Sequence, residues 1–137
     1  AMHPTIQKFH DLVLEHNHDD VPDLMAKDVT FQPPTYWATW NGRDAVGAVL
    51  SHVNEVFTDF KYRRVMGDGK DWALEFQCKV DGLDCVGVDL FTLNDDGLIQ
   101  EMEVVMRPHK TIGALRAAMN ARVAKDPAFL KHKSALS

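Results

Sequence analysis

The chain has 137 residues, of which 45% are hydrophobic and 26% charged, and its formal net charge is −5. This composition is typical of one globular domain, which we expect to span residues 1–137. Lysine and arginine are scattered rather than clustered, which argues against nucleic acid or an anionic membrane as a partner. No apolar run approaches the roughly 20 residues of a membrane-spanning helix. We therefore expect a cytoplasmic protein.

The first part of the chain predicts helices and one strand. Apolar residues at helical spacing predict a helix over 4–17, followed by a short helix or turn at 19–26. The segment 28–32 predicts a strand that ends at two prolines, which cannot donate hydrogen bonds to a strand ladder. After an aromatic loop at 34–40, residues 41–57 form an amphipathic pattern typical of a helix.

The second part predicts an antiparallel meander and a closing helix. Alternating segments joined by turn residues indicate four strands, at 60–66, 71–80, 83–93 and 98–107. An Ala-rich segment then predicts a closing C-terminal helix, and we expect the tail at 126–137 to be loosely ordered. Helices followed by a meander indicate an α+β fold. We expect a curved antiparallel sheet wrapped over the N-terminal helices, a cone with a pocket inside.

The stretch "CKVDGLDC" predicts a hairpin register. Asp81-Gly82 is a strong signal for a two-residue turn, and the register that it implies pairs residues whose numbers sum to 163. Cys78 then lies opposite Cys85, at a hydrogen-bonded position where we expect two reduced thiols rather than a disulfide. Asp89 lies opposite Leu74, and cross-strand partners share a face. A single carboxylate therefore lies on the most apolar face of the sheet.

The next hairpin leaves two registers open. A four-residue loop places Asp89 opposite Met102, so that one acid is surrounded by apolar side chains. A three-residue loop with a glycine bulge places Asp89 opposite Glu103, which makes a pair of acids in which one pKa is strongly raised. In either register, burial disfavours the charged form of Asp89 and predicts a raised pKa.

Two interpretations of Asp89 follow. Its carboxyl can form a hydrogen bond with a nearby amide, hydroxyl or water and have no further role. Alternatively, it is the catalytic acid, base or polar anchor of an apolar pocket. We expect that pocket to be lined by residues from the first helix, the aromatic loop and the inner face of the sheet. These are Phe9, Val13, Phe31, Tyr36, Trp37, Trp40, Phe57, Trp72, Leu74, Phe76, Phe91, Met102, Val104 and Met106.

The layout and the segment "GVDLFTLNDDGLIQEMEVVMRP" resemble the nuclear transport factor 2-like (NTF2-like) superfamily, in its SnoaL-like and ketosteroid isomerase-like branch. The resemblance extends over nearly the whole chain and implies the cone-shaped fold. It says little about activity, because this fold hosts enzymes, binding proteins and interaction modules.

Ketosteroid isomerases keep an aspartic acid neutral on the strand that corresponds to "GVDLF"; they are an established example of a protonated carboxylic acid. The resemblance places Asp89 at that position. It also places Pro33 where the isomerase has its general base and Phe9 where it has a tyrosine. Without that base, the isomerase mechanism has no group to move a proton between carbons.

Two other enzymes resemble the chain at the same strand. Limonene epoxide hydrolases carry an Arg-x-Asp pattern and a second acid; here Asp89 matches the first acid, but Gly87 and Val104 occupy the other two places. SnoaL-type polyketide cyclases use a pocket acid for an aldol closure, and one carboxylate in an apolar cone is closest to that chemistry. If the protein is an enzyme, the resemblance implies a cofactor-independent isomerase, cyclase or hydrolase.

Metal and nucleotide cofactors have no support in the sequence. The seven histidines form no His-x-x-x-His pair, there is no CxxC, and no P-loop or Gly-rich dinucleotide turn occurs. His10 enters the mouth of the pocket only if its helix face turns inward.

The sequence supports two hypotheses. The first is a protein that binds, and as an enzyme transforms, a small hydrophobic cyclic molecule. The second is a non-catalytic ligand-binding or dimerisation module, which a cone filled by its own side chains would favour.

On the opposite face of the strand from Asp89, a strip of apolar side chains is too hydrophobic to face water: Val86, Val88 and Leu90. Because sheet-to-sheet dimers are common in the resembled superfamily, we expect a homodimer.

Overall fold

The fold is described from a computed structural model that covers residues 1–137. It has the predicted α+β architecture, with a curved, unclosed six-stranded sheet and three α-helices. The helices and strands are α1 (Pro4–Leu14), β1 (Met25–Gln32), β2 (Trp40–Asn41), α2 (Arg43–Val56), β3 (Thr58–Asp68), β4 (Asp71–Val80), β5 (Leu83–Leu93), β6 (Ile99–Arg107) and α3 (His109–Ala124). Two 3-10 helices, His18–Leu24 and Pro127–Ala135, complete the chain.

The strands follow the order β2-β1-β6-β5-β4-β3. All neighbours are antiparallel except β1 and β6, which run parallel. The prediction of a purely antiparallel sheet was therefore wrong for this pair. A parallel neighbour requires a long connection, and here α2 and the three strands of the meander supply it.

The β4–β5 hairpin has the predicted register. Asp81 and Gly82 have φ angles of +49° and +77°, the left-handed values that a two-residue type I′ turn needs at both positions. Leu74 pairs with Asp89, and Cys78 pairs with Cys85. Both cysteines are buried free thiols. Asp89 therefore points to the concave face of the sheet, together with the apolar residues of β4.

The β5–β6 hairpin has neither predicted register. Asp89 pairs with Val104, because the register shifts by one residue between Thr92 and Leu93. The first predicted register, with Asp89 opposite Met102, was wrong by two residues. Side chains alternate with a period of two, so this error left every side chain on its predicted face. The second register was wrong about the face: Glu103 pairs with Leu90 on the convex side, and no acid faces Asp89 across β6.

The concave face of the sheet is filled by the helical layer. The α1 residues Ile6, Phe9, Leu12 and Val13 are buried, and the edge of the Phe9 ring packs on Phe91 of β5 at a centroid distance of 4.9 Å. The pairing of β3 with β4 has further register shifts; such irregularities increase the local twist and bend the sheet around the helices. No helix of the chain combines the length and the hydropathy that a membrane-spanning helix needs.

The C-terminal segment, residues 127–137, differs from its prediction as a loosely ordered tail. It forms the 3-10 helix Pro127–Ala135, and its Phe129 is buried against the edge of Trp40 at a ring-centroid distance of 5.6 Å. Leu136 forms a bridge with Trp40, and the backbones of Thr39 and Ser137 exchange two hydrogen bonds of 2.8 Å. A large aromatic side chain and an edge-strand pairing thus hold the segment on the body of the protein.

Gly87 gives a direct test of the packing on the concave face. A Cβ atom at this position would lie 2.3 Å from Cζ of Phe76 and 3.0 Å from Cγ of Met106. We expect Gly87→Ala to lower the free energy of unfolding by about 1–3 kcal/mol, the usual cost of overpacking. Gly113→Ala in α3 is the matched control, since a Cβ there meets no atom within 4 Å; it should stabilise the protein by roughly 0.5–1 kcal/mol. Urea unfolding measures both, and equal effects would contradict this packing.

Candidate functional site

A small cavity of about 50 Å³ lies between the concave face of the sheet and the helical layer. Most of its walls are hydrocarbon. Four polar side chains reach it: Tyr62 and Asp89 from the sheet, and His18 and Asn54 from the helical layer. The apolar lining consists of Phe9, Val13, Val21, Phe31, Pro34, Leu50, Val53, Phe57, Phe60, Phe76, Met102, Val104 and Leu115.

Asp89 is the buried acid of this cavity. Asp89 is 7% exposed, and burial is the cause of its raised pKa, with no contribution from a hydrogen bond to its carboxyl. Burial alone raises the pKa of Asp89 to about 8. At neutral pH the carboxyl is therefore mostly protonated, and it can donate a hydrogen bond as well as accept one. The interpretation that Asp89 merely satisfies itself through a neighbouring amide or hydroxyl is not supported.

Tyr62 of β3 is a second polar group without a protein partner. Its hydroxyl is buried and forms no hydrogen bond. Burial raises the pKa of Tyr62 well above its usual value, and a charge on the nearby Asp89 acts in the same direction. The hydroxyl therefore keeps its proton at neutral pH. His10 stacks on the Tyr62 ring at a centroid distance of 4.5 Å and does not itself line the cavity.

A larger cavity adjoins the first. It measures about 510 Å³ and lies between α2, α3, the C-terminal segment and the loop that follows β1. Tyr36, Trp40, Met119 and Phe129 are among its walls. The two cavities share four lining residues, which form the partition between them: Phe31, Pro34, Val53 and Leu115. We call the smaller one the inner cavity and the larger one the outer cavity.

The structure distributes the predicted lining residues over both cavities. Seven of them line the inner cavity with Asp89: Phe9, Val13, Phe31, Phe57, Phe76, Met102 and Val104. Tyr36 and Trp40 line the outer cavity, where the Trp40 indole donates a hydrogen bond of 2.7 Å to the Tyr36 hydroxyl.

Five predicted residues do not line either cavity. Trp37 is 95% exposed, because its loop turns the indole into water instead of over the cone. Trp72 lies at the end of the sheet, where its indole donates to the Gly69 carbonyl at 2.9 Å. The remaining three have other packing partners or positions: Leu74 is fully buried in the core, the ring of Phe91 packs on Phe9, and Met106 lies against the backbone of Gly87.

The sequence analysis missed Tyr62, His18 and Asn54. The alternation of Phe60 and Tyr62 was a usable signal, but the register shift after Tyr62 obscured the face of β3. Asn54 lies four residues after the buried Leu50 on α2, a spacing that places both on one helix face. His18 begins a 3-10 helix whose sequence has no periodicity, so only the fold could locate its side chain.

The fold agrees with what comparisons of sequence and structure show. A family model described as "SnoaL-like domain" matches residues 6–102. The chain belongs to the SnoaL-like family. With its NTF2-like structural neighbours, this match establishes the superfamily and branch predicted from the sequence. Among curated proteins, none matches the sequence significantly.

Several solved structures are similar to this SnoaL-like chain. An uncharacterized protein with a cystatin-like fold from Silicibacter pomeroyi DSS-3 is 62% identical, with a TM-score of 0.96 over 99% of this chain and 96% of that one. A steroid delta-isomerase from Pseudomonas aeruginosa is 32% identical, with a TM-score of 0.87 over 90% and 92% of the two chains. An NTF2-like protein of unknown function from Cytophaga hutchinsonii is 18% identical, with a TM-score of 0.63 over 77% and 89%.

Apart from Asp89, the positions that the enzyme resemblances single out have no polar side chain in this SnoaL-like domain. Phe9 lines the inner cavity with its ring, and Pro33 lines the outer cavity. Gly87 lies under Phe76, which occupies the space that any side chain at this position would need. Val104, directly opposite Asp89, is also apolar. Asp89 is thus the only acid of the inner cavity.

The buried acid predicts a pH dependence of stability. Folded Asp89 keeps its proton up to about pH 8, whereas the unfolded chain releases it near the usual value of 3.8. Between these values the folded state binds the extra proton, so the free energy of unfolding falls as pH rises, by up to about 1.4 kcal/mol per pH unit. Asp89→Asn removes this pH dependence. The free energy of unfolding of Asp89→Asn minus that of the wild type should therefore increase from pH 4 to pH 8 and then level off.

Urea unfolding at pH 5, 6, 7 and 8 measures this difference. Asp84→Asn is the control, because Asp84 lies on the same strand with its side chain 81% exposed. If the free energies of unfolding of the wild type and Asp89→Asn change with pH in parallel, Asp89 does not titrate in this range.

Proposed function

We propose that this SnoaL-like domain binds a small hydrophobic cyclic molecule in the inner cavity and holds one oxygen atom of that molecule by hydrogen bonds from Asp89 and Tyr62. One observation carries the proposal: two protonated, buried groups share an apolar cavity, and neither has a protein partner. A buried polar group without a partner costs free energy. A ligand oxygen that accepts from both groups would remove that cost.

The apolar lining supports a hydrophobic ligand, because ligand sites are mostly apolar with a few polar groups that set orientation. The relative from Pseudomonas aeruginosa, a steroid delta-isomerase at 32% identity, supports the same class of ring molecule. The ligand would enter from the outer cavity, and the partition formed by Phe31, Pro34, Val53 and Leu115 would have to move to admit it.

As an enzyme, the domain would belong to the cofactor-independent isomerases, cyclases or hydrolases. A protonated Asp89 can donate to a carbonyl or leaving-group oxygen. The ketosteroid isomerase mechanism is not part of the proposal, because Pro33 occupies the position of its base. The epoxide hydrolase mechanism is excluded for a similar reason, since Gly87 and Val104 lack the required groups.

The cytoplasmic location expected from the sequence stays a prediction.

A thermal-shift screen with steroids, terpenoids and polyketide-like aromatics tests the proposal. A ligand that binds only the folded state, present at about 100 times its Kd, stabilises that state by roughly 2.7 kcal/mol and raises Tm. Asp89→Leu and Tyr62→Phe each remove a donor and should each weaken binding by roughly two- to twelvefold, the effect of one hydrogen bond. Asp84→Asn should bind like the wild type. If both site variants keep the wild-type Kd for every ligand that binds, Asp89 and Tyr62 do not contact the ligand.

A second candidate function is a non-catalytic ligand-binding or dimerisation module. The size of the inner cavity favours it: about 50 Å³ is far below the 300–1,000 Å³ typical of ligand pockets. In the absence of ligand, the side chains of the cone fill most of its interior. Under this alternative, no compound in the screen is converted, and only the outer cavity binds small molecules.

We also propose a homodimer formed through the convex face of the sheet. Met66, Leu90 and Val105 are 47%, 39% and 48% exposed on that face, and Val88 pairs with Val105 beside Leu90. We call these four residues the convex patch. Contiguous exposed apolar side chains on a sheet mark an association surface. A second copy would bury them face to face.

Light scattering coupled to size-exclusion chromatography tests the dimer. The wild type should elute with twice the mass of one chain, and Val105→Glu should elute as a monomer because a charge at the centre of an apolar interface is costly to bury. Leu130→Glu is the control, since Leu130 is 54% exposed outside the convex patch. A monomeric wild type would refute the proposal.

A further inference from the structure

The inner cavity has a second polar pair, on the wall opposite Asp89. His18 is the first residue of the 3-10 helix His18–Leu24, and Asn54 lies near the end of α2. Their side chains meet at 2.5 Å, between Asn54 Nδ2 and His18 Nδ1, and both line the inner cavity. We call His18 and Asn54 the helix-wall pair, and Tyr62 and Asp89 the sheet-wall pair.

The contact with Asn54 decides which nitrogen of His18 is available. An amide nitrogen can only donate, so Nδ1 of His18 accepts and the ring proton is on Nε2. Burial lowers the pKa of His18, which keeps the ring neutral at pH 7. The contact with Asn54 occupies Nδ1, which leaves Nε2 available to a ligand in the cavity that His18 lines. The helix-wall pair therefore offers one free N–H donor, oriented by Asn54.

The two pairs lie on opposite sides of the cavity. Tyr62 and Asp89 come from β3 and β5 on the concave face of the sheet, whereas His18 and Asn54 come from the layer that covers it. Apolar side chains such as Phe9, Phe31 and Met102 line the space with them. Donors on two facing walls, separated by hydrocarbon, fit a molecule with acceptors at two ends and an apolar body.

We infer that the ligand is a neutral cyclic molecule with a hydrogen-bond-accepting oxygen at each end, one bound by the sheet-wall pair and the other by Nε2 of His18. This inference rests on the proposed function and names the class of its ligand: cyclic dicarbonyl compounds. The donors on both walls are uncharged, which favours a carbonyl over a carboxylate, because a charged group would lose its hydration without gaining an ion pair.

Two probes that differ by one carbonyl group test the inference: 1-decalone and decalin-1,5-dione. Their Kd values are measured by isothermal titration calorimetry, and the ratio of the 1-decalone Kd to the dione Kd is compared between proteins. His18→Phe keeps the bulk of the ring and removes its donor, so this ratio should fall by roughly two- to twelvefold. His18→Gln, which retains an N–H donor, should restore part of the preference for the dione.

His16→Phe is the matched control. His16 is exposed and packs edge-on to His18 at 6.2 Å, but it does not line the cavity. The ratio of the 1-decalone Kd to the dione Kd should be the same in His16→Phe and in the wild type. In ¹⁵N NMR spectra of the free protein, the His18 ring should also show the Nε2–H tautomer.

The possible outcomes separate the inference from the proposed function. If 1-decalone binds and Asp89→Leu weakens its binding, but the ratio is the same in wild type and His18→Phe, the inference fails and the proposed function stands. If His18→Phe weakens both probes equally, His18 only shapes the cavity, and the inference also fails. If neither probe binds the wild type, both proposals fail for this class of molecule.

Discussion

The burial of one uncompensated carboxyl is the constraint on which the site depends. Asp89 lies on the concave face of the sheet among hydrocarbon, and burial raises its pKa to about 8 because no protein group offers it a hydrogen bond. Folding therefore retains a proton that the unfolded chain would release at neutral pH, which reduces stability. The fold keeps a second such group, the Tyr62 hydroxyl, in the same cavity. Destabilising polar groups concentrated in one cavity are typical of functional sites.

The fold and the site carry different information about this SnoaL-like protein. The similarity to a steroid delta-isomerase extends over 90% of the chain. At the positions where the resemblance places the isomerase and epoxide hydrolase groups, the chain has Phe9, Pro33, Gly87 and Val104, and only Asp89 is retained. Function follows the composition of a site more closely than the fold that carries it. Two further polar residues, Tyr62 and His18, reach the cavity from different elements, and the binding of a ligand by neutral hydrogen-bond donors is our proposal for them.

The α+β architecture, the β4–β5 register and the face on which Asp89 lies could all be predicted from the amino-acid sequence. These features depend on local signals. The Asp81-Gly82 turn sets its register through two left-handed residues, and alternation with a period of two then assigns every side chain of the hairpin to a face. The same alternation kept the face of Asp89 correct even where the predicted pairing with β6 was wrong. Of the predicted pocket residues on β4 and β6, Phe76, Met102 and Val104 line the inner cavity for this reason.

Other features of the site depend on contacts between segments that are distant in sequence. The bulge that pairs Asp89 with Val104 depends on how β5 and β6 curve together, and the parallel pairing of β1 with β6 joins strands that are distant in sequence. The exposure of Trp37 and the burial of Phe129 depend on which surfaces the loop and the C-terminal segment meet. His18 lines the same cavity as Asp89 only because the helical layer packs across the sheet. Local propensity contains no information about such long-range contacts, so the polar groups of the cavity became visible only when the chain was folded.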